Sequence, residues 1–176
     1  IGCGRIGAVH GLSLNSINGV EITYVADPFE ENAQKVAAQT SSQLSSIDEI
    51  INSSKIDAII IASPTPTHYD IIHSAAKAGK AIFCEKPVDM DADRIRDCIK
   101  VVEEYNTPFM TGFNRRFDNN FATLEKQIRA DLIGDVELVT ILSRDPSPPP
   151  IEYIKASGGI FRDMTIHDFD MARFLL

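Results

Sequence analysis

Gly2-Cys3-Gly4-Arg5-Ile6-Gly7 opens the chain with three glycines in the spacing G-x-G-x-x-G. Between a strand and a helix that spacing has a physical meaning. The first glycine makes a tight turn, the second lets the backbone close on a pyrophosphate, and the third lets the helix pack against the sheet. The setting is present here. Arg5 to about Ser16 reads as a helix, Val20 to Ala26 as a strand, and Asp27 follows 20 residues beyond Gly7. An acid at that point is placed to accept the hydrogen bonds of an adenosine ribose. A bare glycine turn and a helix-capping Asp would use the same residues without a ligand. The complete order of strand, loop, helix, strand and acid favours the dinucleotide.

The next hundred residues repeat the alternation. Pro28 to Thr40 reads as a helix with Pro near its first position. A weakly marked strand falls within Ala38 to Leu44, and Ser46 with Glu49 forms a capping box. Ile56 to Ala62 is almost continuously apolar, as in a strand buried on both faces, and Ala81 to Cys84 reads as another buried strand. Pro66 to Ala78 is helical, with Thr65 as its cap and Gly79 as its stop. Asp91 to Tyr105 is helical, and Pro108 to Phe113 is strand-like. Such alternation predicts an α/β fold, a Rossmann-type doubly wound parallel sheet, with ligands outside the carboxyl ends of its strands.

The rhythm changes after Phe113. A helix over Phe117 to Asp131 precedes a strand near Val136 to Leu142, then a proline- and glycine-rich loop, Ser143 to Gly159, and a helix from Asp163 to Leu176. The expectation is a nucleotide-binding domain over 1–113 and, over 114–176, the start of a truncated α+β domain. Ile1 lies directly against the glycine loop, and Phe174-Leu175-Leu176 are apolar residues in mid-pattern. We therefore expect a segment cut inside a first strand and a last helix.

With 17 Lys and Arg against 25 Asp and Glu, the net charge is −8, which argues against nucleic acid as a partner. No apolar run approaches the ~20 residues of a bilayer-spanning helix, and no charged-then-apolar leader is visible. Cys3, Cys84 and Cys98 are scattered and form no CxxC pair, so reduced thiols are expected. Together these readings point to a cytoplasmic protein without a membrane partner.

Three groups carry further chemistry. Ser63-Pro64-Thr65-Pro66-Thr67-His68 follows the apolar strand and brings hydroxyls to the same sheet edge as the glycine loop. Glu85-Lys86-Pro87 follows the next strand, where a lysine points into the cleft rather than merely into solvent. Asp163 and His167 stand four apart, on one face of a helix, and His suits a general base near neutral pH. A metal at His167, Asp168 and Asp170 fits poorly, because adjacent helical residues face different ways. His10 and His73 fall inside helices and have no assigned chemistry.

The order GCGRIG, Asp27, EKP at Glu85–Pro87 and SGGIFRDMTIHDFDMARFLL at the end resembles the glucose-fructose oxidoreductase, inositol dehydrogenase and rhizopine-catabolism family, Gfo/Idh/MocA, over essentially all 176 residues. The resemblance implies that Gly2, Gly4, Arg5 and Ile6 cradle the pyrophosphate of NAD and that Asp27 holds its adenosine ribose. Ser63 and Glu85 would lie along the nicotinamide half. Lys86, Asp163 and His167 would form the catalytic set, with Lys86 also close to the cofactor. The implied activity is NAD-dependent oxidation of a cyclic polyol, myo-inositol first, by a full-length protein that forms homo-oligomers. The alternatives are an aldose dehydrogenase of the same family and an NAD-binding regulator without turnover. Arg144 and Asp145, on the loop after the expected strand, are further substrate candidates.

Overall fold

Among the described residues five short strands pair in parallel. β1 (Tyr24–Val25) pairs with β2 (Gln43–Leu44); β3 (Ala58–Ile61) pairs with β4 (Ala81–Cys84), and β4 with β5 (Phe109–Thr111). Ile1 joins the two groups. The Ile1 amino group donates to Ile60 C=O at 2.8 Å, Ala62 N–H to Ile1 C=O at 2.8 Å, and Gly2 N–H to Ala26 C=O at 2.8 Å. The order β2-β1-Ile1-β3-β4-β5 is that of a doubly wound dinucleotide fold, reversing beside Ile1. The computed structural model describes the backbone of residues 1–176 and every side chain except those of Glu152 and Ala156. The chain divides into two compact units, Ile1–Gly112 and Phe113–Leu176.

The helices of the first unit are α1 (Arg5–Asn15), α2 (Glu30–Thr40), α3 (Ile47–Asn52), α4 (His68–Lys77) and α5 (Ala92–Glu104). The main core lies between β3–β4 and α4–α5. Ile59 and Ile61 pair in register with Ile82 and Cys84, and all four are buried with Ile72 and Ala75 of α4 and Cys98 and Val101 of α5. A fully buried Ile such as Ile72 contributes about 1.5–3 kcal/mol. The other face differs from the expectation of strands buried on both sides. Ile60 and Phe83 are only half-buried, and with His10, Leu14, Ala58 and Met110 they line an apolar groove of about 470 Å³. Within this unit α4 and α5 cover one face of β3 and β4, while α1 only borders the groove on the other.

Local chemistry sets the boundaries. Ser46 Oγ accepts from Glu49 N–H and Glu49 Oε2 from Ser46 N–H, both at 3.2 Å, so the capping box opens α3. Gly79, at φ +69°, ends α4; its N–H and that of Lys80 donate to Ala76 and Ala75. Several boundaries move. α2 starts at Glu30, because the Asp27 carboxylate accepts from Phe29 N–H at 2.8 Å and holds a turn ahead of the helix. The strand expected over Val20–Ala26 shortens to Tyr24–Val25, since β2 offers only two residues to pair with. Thr65 does not cap α4; it begins a 3₁₀ turn, Thr65–Thr67, behind Pro64.

The second unit holds a 3₁₀ turn (Asn114–Phe117), α6 (Asn119–Arg129), α7 (Ile151–Ala156), α8 (Ile160–Asp163) and α9 (Thr165–Leu175). Asp118 caps α6, accepting from Asn120 N–H at 2.9 Å. Val136–Leu142 is not a strand here: a ladder needs a neighbour, and no described residue pairs with it. α7 interrupts the expected loop. The expected final helix is broken at Met164 (φ −103°, ψ −56°), so Asp163 closes α8 while His167 belongs to α9. Among the described residues no helix is long and apolar enough to cross a membrane, and no His, Cys, Asp and Glu group could hold a metal. All three cysteines are buried and free; burial pushes the Cys84 thiol up and the Cys98 thiol up to about 11.

Candidate active site

The glycine loop requires its glycines. Gly2 sits at φ +86°, and a Cβ there would stand 2.3 Å from Ser63 N; a Cβ on Gly7 would stand 1.9 Å from Gly2 O. No side chain fits at either position, so the loop is pressed against the segment after β3, where the strand order reverses. Around Gly4 the opposite holds: a Cβ would meet nothing within 4 Å. The backbone at Gly4 is thus open to a ligand. Gly4 is also the N-cap of α1, with no side-chain cap and no acid in the first turn. The first N–H groups of the helix, from Arg5 and Ile6 onward, are suited to a phosphate.

Asp27 stands beside this loop. Its Oδ2 accepts from Cys3 N–H at 2.6 Å and its Oδ1 from Phe29 N–H at 2.8 Å. The carboxylate is fixed by backbone, yet each oxygen keeps acceptor capacity for a ribose hydroxyl. Open backbone at Gly4, an uncapped helix and an oriented acid fit the pyrophosphate and adenosine half of a dinucleotide. Gly2, Gly4, Arg5, Ile6 and Asp27 are therefore brought together, and Ser63 lies against the same loop.

The loops after β3 and β4 are tied to each other. His68, 1% exposed, places Nε2 2.8 Å from Ser63 O and Nδ1 3.0 Å from Pro87 O. Both partners are acceptors, so the ring donates, and one ring N–H serves one carbonyl at a time. Ser63 Oγ and Thr67 Oγ1 are 2.7 Å apart. Glu85 Oε1 accepts from His10 Nε2 at 2.6 Å and Oε2 from Lys86 N–H at 3.2 Å. Burial alone would raise the Glu85 carboxyl. The His10 hydrogen bond and charge, followed by Lys86, reverse that and hold it below the usual Glu range. The Lys86–Pro87 peptide is cis.

In the second unit Asp163 Oδ1 accepts from the Tyr153 hydroxyl at 2.7 Å. Asp163 closes α8 and His167 lies in α9, with Met164 between the two helices. His167 is half-buried, with the Phe113 ring edge-on at 6.3 Å. Asp168 accepts from Arg115 and from Ser143 Oγ, and Asp170 from Arg116. Arg144 and Asp145 line an open cleft of about 580 Å³ with Arg115, Asp118, Ser143 and Met164.

Two comparisons decide the family. Residues 1–113 match the model described as the oxidoreductase family with an NAD-binding Rossmann fold, and residues 121–176 match the GFO/IDH/MocA C-terminal domain. The chain belongs to the Gfo/Idh/MocA family. Family members of similar sequence include the inositol 2-dehydrogenase of Rhizobium meliloti (strain 1021), 53% identical over all of this chain and 53% of that protein. The solved myo-inositol dehydrogenase from Corynebacterium glutamicum superposes with a TM-score of 0.93 at 45% identity, covering 99% of this chain and 53% of the other. A scyllo-inositol dehydrogenase from Lactobacillus casei, solved with bound NAD(H) and scyllo-inositol, superposes at 0.81 with 26% identity over 98% of this chain and 53% of the other. The chain thus spans about half the length of these Gfo/Idh/MocA relatives.

Sequence reasoning gave His10 and the His68 ring no role and did not single out Arg115 and Arg116. His10 sits five residues into α1 and faces a partner 75 residues away, so no local pattern marks it. Arg115-Arg116 was legible as a basic pair, and Asp168 with Asp170 as acids. Their pairing needed the fold of the second unit.

Proposed function

We propose that the full-length protein is an NAD-dependent dehydrogenase of cyclic polyols, myo-inositol first. The observation that carries this reading is the joining of the glycine loop, Asp27 and the Ser63 segment at the point where the sheet order reverses, in a chain with EKP and Asp-x-x-x-His elements. Bound NAD would supply the hydride acceptor. The residues of the chain do the rest. His167 takes the proton of the reacting hydroxyl as general base. Lys86 donates a hydrogen bond to the same oxygen and stabilises the charge that grows there. Asp163, oriented by the Tyr153 hydroxyl, positions a neighbouring substrate hydroxyl.

The side-chain types of the proposed site suit a polyol. Lys86, Asp163, His167, Arg144 and Asp145 offer donors and acceptors that a hydroxyl-rich ring can pair. A site that hydrogen-bonds substrate hydroxyls rejects an alcohol that lacks them. Three buried, free thiols suit a cytoplasmic protein. The test is NADH formation by the full-length protein with myo-inositol, scyllo-inositol, glucose and cyclohexanol at equal concentration. Myo-inositol is expected to lead. Glucose leading would make the protein a sugar dehydrogenase. Cyclohexanol matching myo-inositol would overturn the polyol reading, and NAD binding without reduction would make the protein a regulator.

A further inference from the structure

Glu85 is closed in from three directions. His10 Nε2 donates to Oε1 at 2.6 Å, the Lys86 N–H donates to Oε2 at 3.2 Å, and a Cβ on Gly112 would come within 3.0 Å of Oε2. His10 is itself confined. Its side chain is 26% exposed, and its ring meets that of Phe83 edge-on at 5.1 Å. Both carboxylate oxygens are therefore engaged, one by a helix and one by the backbone of the EKP segment. A carboxylate held this way has little rotational freedom, and the Lys86 backbone is anchored to it.

We infer that His10 is a positioning residue: through Glu85 it fixes the backbone from which Lys86 is presented. α1 begins at the glycine loop, so the helix suited to the pyrophosphate also braces the EKP segment. The carboxylate held below its usual range keeps this acceptor ionised at neutral pH. The inference rests on the reading of Lys86 as the donor to the reacting oxygen. Misplacing such a donor by about 1 Å costs on the order of a hundredfold in rate, even when the binding groups are intact.

The test uses the full-length enzyme, NAD and the polyol it oxidises fastest. His10→Leu is expected to lower kcat at least tenfold while the Kd for NAD stays within threefold. His10→Gln, which keeps an N–H for Glu85, should recover most of the loss. Glu85→Gln combined with His10→Leu should be no worse than the poorer single variant, as expected of residues acting through one contact. A kcat within twofold of wild type in His10→Leu, or additive losses in the double variant, would overturn the inference. Should His10→Leu fail to fold, the His10→Gln and Glu85→Gln pair gives the same coupling. Amide exchange at Lys86 separates this inference from the functional reading, because it needs no substrate. Faster exchange at Lys86 in His10→Leu, with β4 amides unchanged, supports the positioning role even if no polyol is turned over; unchanged exchange overturns it.

Discussion

Arg116 grips Asp170 with two nitrogens, Nε on one carboxylate oxygen at 2.8 Å and Nη2 on the other at 2.5 Å. Asp170 is 7% exposed and lies on α9, the helix that carries His167. Arg115, beside it in the 3₁₀ turn, holds Asp168 of the same helix. Two neighbouring guanidinium groups thus set the rotation and depth of α9. Arg116→Leu should destabilise the protein by about 2–3 kcal/mol, because it strands a buried carboxylate. Arg116→Lys should recover only part of this, since a point donor does not replace a fork. Urea unfolding midpoints of the variants decide it.

His68 joins the loops after β3 and β4. His68→Leu should cost about 1–3 kcal/mol, since the carbonyls of Ser63 and Pro87, which share the ring N–H, lose that donor. His68→Gln should lose less, because its amide can still serve one of them. The measurement is thermal or urea unfolding, and equal stability of His68→Leu and wild type would contradict it.

Asp27 bears on the choice of cofactor. Its carboxylate faces the glycine loop, and Pro28, Phe29, Glu30 and Glu31 behind it include no base for a 2′-phosphate. NAD should be preferred over NADP by at least about tenfold, on the order of 1.4 kcal/mol. The ratio of kcat/KM for the two cofactors is the check.

His167 and Lys86 carry the proposed proton chemistry. His167→Ala should lower kcat about a hundredfold or more with NAD binding intact. Lys86→Ala should also lower kcat, and Lys86→Arg should rescue it only in part. Stopped-flow NADH formation with parallel NAD titrations separates the two effects.

Glu85 predicts a pH effect. Its folded-state carboxyl lies below the usual Glu range, so near pH 4 the unfolded chain binds more protons than the folded one. The stability it contributes is fully present above about pH 4.3, the ordinary Glu value, and is lost as pH falls through the lower folded value. Glu85→Gln should flatten the fall in unfolding free energy below that pH, as read from urea titrations at several pH values.

Much of this was legible in order along the chain. Gly2, Gly4 and Gly7 predicted the turn, and the structure shows why a Cβ fails at Gly2 and Gly7. Ser46 with Glu49 and Gly79 marked helix ends through contacts within a few residues. Errors arose where partners are distant. Val136–Leu142 has strand composition but no neighbour to pair with, and Ile60 and Phe83 read as core because composition does not say which face a helix covers.

Local sequence carries backbone conformation and the alternation of elements, because steric limits at glycine, caps and hydrophobic periodicity act over a few residues. It therefore dictated the parallel sheet and the place of the glycine loop. Pairings such as His10 with Glu85, His68 with Ser63 and Pro87, and Arg116 with Asp170 depend on geometry that packing alone creates. Each joins side chains or carbonyls from separate loops and helices, and each is stable because burial makes an unpaired polar group costly. That cost is set by the folded surroundings, so these partners emerged only once the chain had closed on itself.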